Sequence, residues 1–235
     1  MSEKIEKLRM FLIQYIDELT PCGGGGGMPD LPEFDLYAVD YLDFAQVELE
    51  KNTSVSLINC VSHLKRAMDC QLDTFLFVYN LYNITAKKNL KFEKKLDFLN
   101  DIGVFNSRVL VRINTIRNRM EHKFEIPKIT DIEMYFDLVS AFVAILQSLI
   151  VFTLESSLEY EYSKGSFSIF YSSDEPSVVV RIYEDTGVEY RIVANTSNMF
   201  EFTYFFKVWF LLVQSGGFAS NKYILRKLDE GINFV

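Results

Sequence analysis

Between Leu57 and Tyr82, apolar side chains recur at steps of three or four without a break: Leu57, Val61, Leu64, Met68, Leu72, Phe75, Tyr79 and Tyr82. That period marks one face of an α-helix. Sustained for about seven turns, it makes a seam that one helix cannot bury alone. A second seam offers a partner: Met134, Leu138, Phe142, Ile145, Leu149 and Phe152. Its helix opens with the capping-box pattern Thr130-Asp131-Ile132-Glu133 and extends as far as Tyr162. Residues 35–50 carry a shorter stripe of Tyr37, Tyr41, Phe44 and Val47. Residues 107–124 carry Val109, Ile113, Ile116 and Met120, with Asn106 or Ser107 as the cap and Pro127 as the stop. Four successive helices with apolar faces predict a bundle.

The flanks read differently. Residues 3–19 predict a short amphipathic helix with Ile5, Leu8, Leu12, Tyr15 and Leu19 on one face. Pro21 ends it, and Gly23–Gly27 follow. The glycine run leads into Met28-Pro29-Asp30 and not into Gly-Lys-Ser/Thr, so it reads as a flexible linker and not as a phosphate loop. After Lys164-Gly165 the period falls to two at Phe167, Ile169 and Tyr171. The β-branched runs Val178–Tyr183 and Val188–Val193, separated by Glu184-Asp185-Thr186-Gly187, predict a hairpin. Residues 199–214 return to a helical pattern closed by Gly216-Gly217, and 220–235 predict one more short helix. The expected divisions are an N-terminal helix over 1–20, a linker over 21–34, a helical bundle over 35–163 and a hairpin-plus-helix appendage over 164–235. The expected fold class is mainly α, with a small C-terminal antiparallel β-hairpin segment and terminal helices.

Composition limits the function classes. The net charge is −8, yet residues 84–128 hold 11 Lys/Arg against 5 Asp/Glu. One basic stretch therefore sits in an acidic chain, either as a solvated helix face or as a site for a polyanion. There are two histidines and three cysteines, with no CxxC and no HxxxH. GxSxG and a dinucleotide-binding glycine pattern are also missing from the sequence. These gaps leave no metal or cofactor to be expected. The most apolar run, Ala141–Leu154, falls short of the ~20 residues a membrane span needs. With no signal-peptide pattern at the N-terminus, a cytoplasmic protein without a membrane partner is expected.

The residues best suited to chemistry lie in Arg117-Asn118-Arg119-Met120-Glu121-His122. On a helix, Asn114, Asn118 and His122 form one polar stripe, while Arg117 points about 140° away from His122. Two copies of the helix facing each other across a two-fold would bring an arginine and a histidine together more readily than one copy does. Plainer accounts are an i, i+4 surface pair of Arg117 with Glu121, a histidine placed to favour the helix C-terminus, and solvated Arg108, Arg112 and Arg119. His63, followed by Lys65, Arg66 and Asp69, reads as part of a mixed-charge solvated face.

The order of elements around this motif resembles the HEPN superfamily. A long helical hairpin, a connector, a helix carrying RNRMEH and a capped apolar helix cover roughly residues 35–160. Arg117, Asn118 and His122, with four residues between Arg and His, match the superfamily's Arg–polar–His signature. The glycine run and the C-terminal segment lie outside the resemblance. It implies a HEPN-like helical bundle that dimerises and cleaves RNA at a composite site without a metal, in a toxin–antitoxin or anti-phage setting. An antitoxin or defence-system partner protein would then be expected beside RNA. The implied catalytic residues are Arg117, Asn118 and His122. Arg112, Arg119 and Lys123 are the expected RNA contacts, joined by Lys65 and Arg66 if their helix lines the cleft. The chemistry suits the side chains. An imidazole moves protons near neutral pH, and a guanidinium holds a phosphate through paired hydrogen bonds. The alternatives are a non-catalytic HEPN-like module that binds RNA or protein, and an unrelated helical protein in which the motif is coincidence.

Overall fold

In a computed structural model, which describes residues 2–27, 29–87, 90–105, 110–126, 128–152, 157–215 and 217–232, the period-two segments extend well beyond one hairpin. The elements in chain order are α1 (Glu3–Tyr15), β1 (Thr20–Gly25), α2 (Ala38–Lys51), α3 (Ser54–Val78), α4 (Tyr82–Lys87), α5 (Phe92–Asp101), α6 (Leu110–Lys123) and α7 (Ile129–Phe152). They continue with β2 (Ser157–Tyr162), β3 (Gly165–Ser172), β4 (Ser177–Glu184), β5 (Glu189–Asn195), α8 (Met199–Val213) and α9 (Asn221–Leu228). Contacts group them into two units. Met1–Met28, Leu96–Asn106 and Thr153–Val235 form a sheet unit, and Pro29–Lys95 with Ser107–Phe152 form a helical unit. The sequence suggested divisions at 20, 34 and 163 instead.

The mainly α expectation is corrected to a mixed α/β fold. The five strands form one antiparallel sheet in the order β1-β2-β3-β4-β5. The expected hairpin is present as β4 and β5, joined through Gly187 at φ +87°. Two further strands come from segments read as something else. The stretch up to Tyr162, expected as a helix tail, is β2, and Tyr160 and Phe167 are register partners with both side chains buried. The glycine run, expected as a linker, supplies β1, which pairs with β2 through Thr20↔Glu161 and Gly24↔Leu158. Glycine offers no side-chain period, so only backbone pairing defines this strand.

Alternation places Phe167, Ile169 and Tyr171, then Val178, Val180 and Ile182, on one buried face of the sheet. The helix α8 carries Phe202, Phe206 and Trp209 to that face, where the tilted rings of Tyr171 and Phe206 lie 5.0 Å apart. The N-terminal helix α1 also packs here, with Phe11 5.0 Å from Phe167. It buries Ile5, Leu8, Phe11, Leu12 and, just past its end, Ile16. At about 1.5–3 kcal/mol per buried large side chain, this packing outweighs its ion pairs, Lys4–Glu201 at 3.2 Å and Arg9–Asp229 at 2.9 Å, each worth about 0–1 kcal/mol.

In the helical unit, α3 is the central element and packs against α2, α6 and α7. Thr53 and Ser56 cap its N-terminus reciprocally, and its seam is buried from Leu57 to Tyr79. The helix stops at Val78. Asn80 takes a left-handed turn at φ +49°, and Tyr82 starts α4 with its side chain exposed. Two expected faces are corrected. In α2 the buried residues are Ala38 and Ala45, whereas Phe44 and Val47 are exposed, because small residues let α2 approach α3 closely. In α7 the buried face is Ile132, Tyr135, Val139, Phe142, Val143, Leu146 and Ile150. The expected seam is thus rotated by about one residue, or 100°. Apolar residues cover more than half of the circumference of α7, with Glu133, Asp137, Ser140, Gln147 and Ser148 on the remaining side. Tertiary packing therefore chooses the buried face within a wide apolar arc. The helix also opens at Ile129, one residue before the expected cap Thr130.

Candidate nucleic-acid interface

The helix α6 carries the motif, and its apolar residues settle which side faces outward. Leu110 and Ile113 are buried, and Ile116 and Met120 are half-buried. This anchors α6 against α3 and α7. Arg112, Asn118, Arg119, His122 and Lys123 are exposed. Arg117 is half-buried and already engaged within the chain. Because α6 runs unbroken from Leu110 to Lys123, Asn118 and His122 lie about 40° apart around it, and Arg117 lies about 140° from His122. The side chains of Asn114 and Glu121, and residues 106–109 with the expected cap, lie outside the described residues.

The end of α6 holds a feature that the sequence analysis did not single out. Phe124 follows the last helical residue with φ +56° and is 88% exposed. Helices commonly end in this left-handed conformation, but with glycine, which has no Cβ to clash. For a bulky residue the conformation costs about 1–2 kcal/mol. An ion pair spans the turn, Arg119 Nη1 to Glu125 Oε2 at 3.5 Å. Beside it lies an open groove of about 110 Å³, lined among others by Ile116, Met120, Ile126 and Lys128. An aromatic residue at the position where a helix-ending glycine belongs was the available sequence signal.

The two basic residues expected from α3 divide. Arg66 is exposed. Lys65 is 9% exposed, its ammonium pairs with Asp69, and it sits 4.0 Å over the Phe92 ring. This buried, paired cation is not presented to a polyanion. His63 on the same helix stacks edge-on to Phe44 at 5.6 Å, and its Nδ1 is buried without a hydrogen-bond partner. Burial, then Arg66, pushes its pKa below the usual imidazole value, and Glu48 opposes the shift. His63 is thus half-buried, with one ring nitrogen shielded from solvent. Among the described residues, no group of three His, Cys, Asp or Glu side chains is arranged to hold a metal ion. No helix among them is long and apolar enough to cross a membrane.

The face of α7 expected as a seam is uncovered at Met134 and Ile145, although its Phe142 is buried. Met134 is 51% and Ile145 39% exposed, Ala141 is exposed, and Leu138 is half-buried. At 100° per residue these four lie within about 60° of one another. The stripe runs along the helix that packs directly against α6. No protein-family model, curated protein or solved structure matches the chain.

Proposed function

We propose that the protein is a metal-independent endoribonuclease of the HEPN type, acting as a homodimer in which α6 and α7 of two copies meet. The observation that carries this reading is the exposure of Asn118 and His122 on one face of α6, within a basic stretch of an acidic chain. An exposed imidazole can exchange a proton with substrate, and the surrounding cations attract an RNA backbone. Arg117 and His122 diverge on one helix, so a site using both draws them from two copies. The uncovered stripe on α7 gives those copies an apolar surface to bury.

In the proposed reaction the 2′-oxygen attacks phosphorus and the P–O5′ bond breaks, giving a 2′,3′-cyclic phosphate and a 5′-hydroxyl. His122 takes the 2′-hydroxyl proton, and water supplies a proton to the leaving oxygen while the imidazolium returns its own proton to solvent. Arg117 offsets charge on the phosphoryl oxygens through its paired N–H groups. Asn118, one turn from His122, orients the phosphate or the imidazole. The cellular setting, a toxin or a defence component with its partner protein, rests on the resemblance alone.

The test is cleavage of single-stranded or looped RNA by the purified protein in excess EDTA. His122→Ala should lower the rate by about a hundredfold to ten-thousandfold, the usual worth of general acid–base help. Cleavage that persists in that variant would defeat the assignment. A binding-only module is the second reading, favoured by the engagement of Arg117 within its own chain. Wild-type protein that binds RNA and leaves it intact would select that reading.

A further inference from the structure

Phe124 is costly where it stands. Its backbone is left-handed at φ +56° and its ring is 88% exposed. Glycine would relax the backbone, and a polar residue would suit the solvent. A residue that violates two local preferences together marks a site whose role lies outside folding. Its surroundings indicate what it meets. His122 is two residues away, so the two Cα atoms are within about 7.6 Å of each other. Lys123 and Lys128 are exposed on either side, and the charge of the exposed Glu125 is paired with Arg119 at 3.5 Å. Residues 117–128 carry four Lys/Arg against two Glu, in a chain whose net charge is −8. An exposed π-face between cations is complementary to an unpaired nucleobase with phosphates on both sides.

We infer that Phe124 is a stacking platform for a base of single-stranded RNA, placing the neighbouring phosphate at His122. This names the substrate class of the proposed site and rests on that reading for its link to cleavage. Stacking on the ring selects unpaired bases, because a duplex keeps its base faces covered. Lys123 and Lys128 contact the backbone and are indifferent to sequence.

The experiment measures binding in the His122→Ala protein, so that no cleavage is needed. The probes are fluorescein-labelled oligoadenylate and the same backbone without bases. Phe124→Gly should weaken oligoadenylate binding roughly 5- to 150-fold, the worth of one aromatic–base stack. It should leave binding of the abasic strand unchanged and should melt no lower than its parent. Phe124→Trp should keep the affinity, and Lys123→Ala should weaken both probes alike. Oligoadenylate bound equally by Phe124→Gly, or by neither protein, overturns the inference. So does a Phe124→Gly protein that keeps RNA affinity but dissociates to monomers in sedimentation, since Phe124 is then a contact between copies. Wild type that cleaves RNA while Phe124→Gly binds normally loses this inference alone. Wild type that does not cleave but shows the Phe124-dependent binding loses only the nuclease reading.

Discussion

In the sheet unit, α8 buries every side chain from Glu201 to Leu212. In the helical unit, α7 is also apolar on most sides, yet it covers one face and leaves Met134, Ala141 and Ile145 in solvent. The contrast extends beyond these two helices. Among the described residues, sixteen large apolar side chains are exposed in the slightly smaller helical unit and eight in the sheet unit. A five-stranded sheet under two helices satisfies its own apolar surface. A helical unit with an exposed α7 stripe and an exposed Phe124 leaves surface for something else to cover. The unit with more exposed apolar side chains is also the one that carries Arg117, Asn118 and His122.

The largest expected effect lies in the self-sufficient half. Phe206 is fully buried and stacks 5.6 Å from Trp209. Phe206→Ala should cost about 3–5 kcal/mol in urea unfolding, from lost transfer energy and the cavity left behind. A cost below about 1 kcal/mol would mean that the aromatic cluster does not hold this unit together. The next effect falls on association and not on folding. If the proposed dimer forms, Met134→Glu with Ile145→Glu should leave a monomer in sedimentation equilibrium at tens of micromolar, with little change in thermal stability, because both positions are exposed in the single chain. A dimer of unchanged affinity would place the contact surface elsewhere.

The smallest effect concerns pH. Burial and Arg66 disfavour the imidazolium of His63, so its folded pKa lies below the unfolded value near 6.5. The unfolded chain therefore binds more protons in mildly acid solution. The stability contributed by neutral His63 is complete above about pH 6.5 and is lost as pH falls through the folded pKa. Melting curves should show a smaller drop from pH 7 to pH 5 in His63→Phe than in wild type. Equal drops would mean that His63 does not drive the acid sensitivity.

Which parts of this contrast were legible in the sequence follows from which parts leave a side-chain period. The seam of α3 was readable because a long run has only one face that fits it, and it failed only at Tyr82, where the left-handed Asn80 breaks the helix. The β4–β5 hairpin was readable from β-branched runs and a glycine turn. β1 was not, since its glycines carry no pattern and only pairing with β2 makes it a strand. β2 was hidden because Leu158, Tyr160 and Tyr162 give too brief an alternation directly after an apolar run. The buried side of α7 differs from the expected one because its apolar arc covers more than half of the helix, and the sequence does not say which part of that arc is buried. At the site, the exposure of Asn118 and His122 follows from polarity opposite Ile113. The pairing of Lys65 was signalled by Asp69, four residues on, whereas its burial against Phe92 leaves no mark in the local sequence. Phe124 was missed because its backbone conformation is set by the chain leaving the helix.

The central claim is that one catalytic site takes Arg117 and His122 from different copies, and subunit mixing tests it most directly. Arg117→Ala and His122→Ala proteins should each be nearly inactive on RNA. Unfolded together in equal amounts and refolded, they should form mixed dimers in which one of the two sites has both residues intact. Random pairing then predicts recovery of roughly a quarter of wild-type cleavage. Refolded mixed dimers, verified by mass, that remain as inactive as either parent would contradict the account.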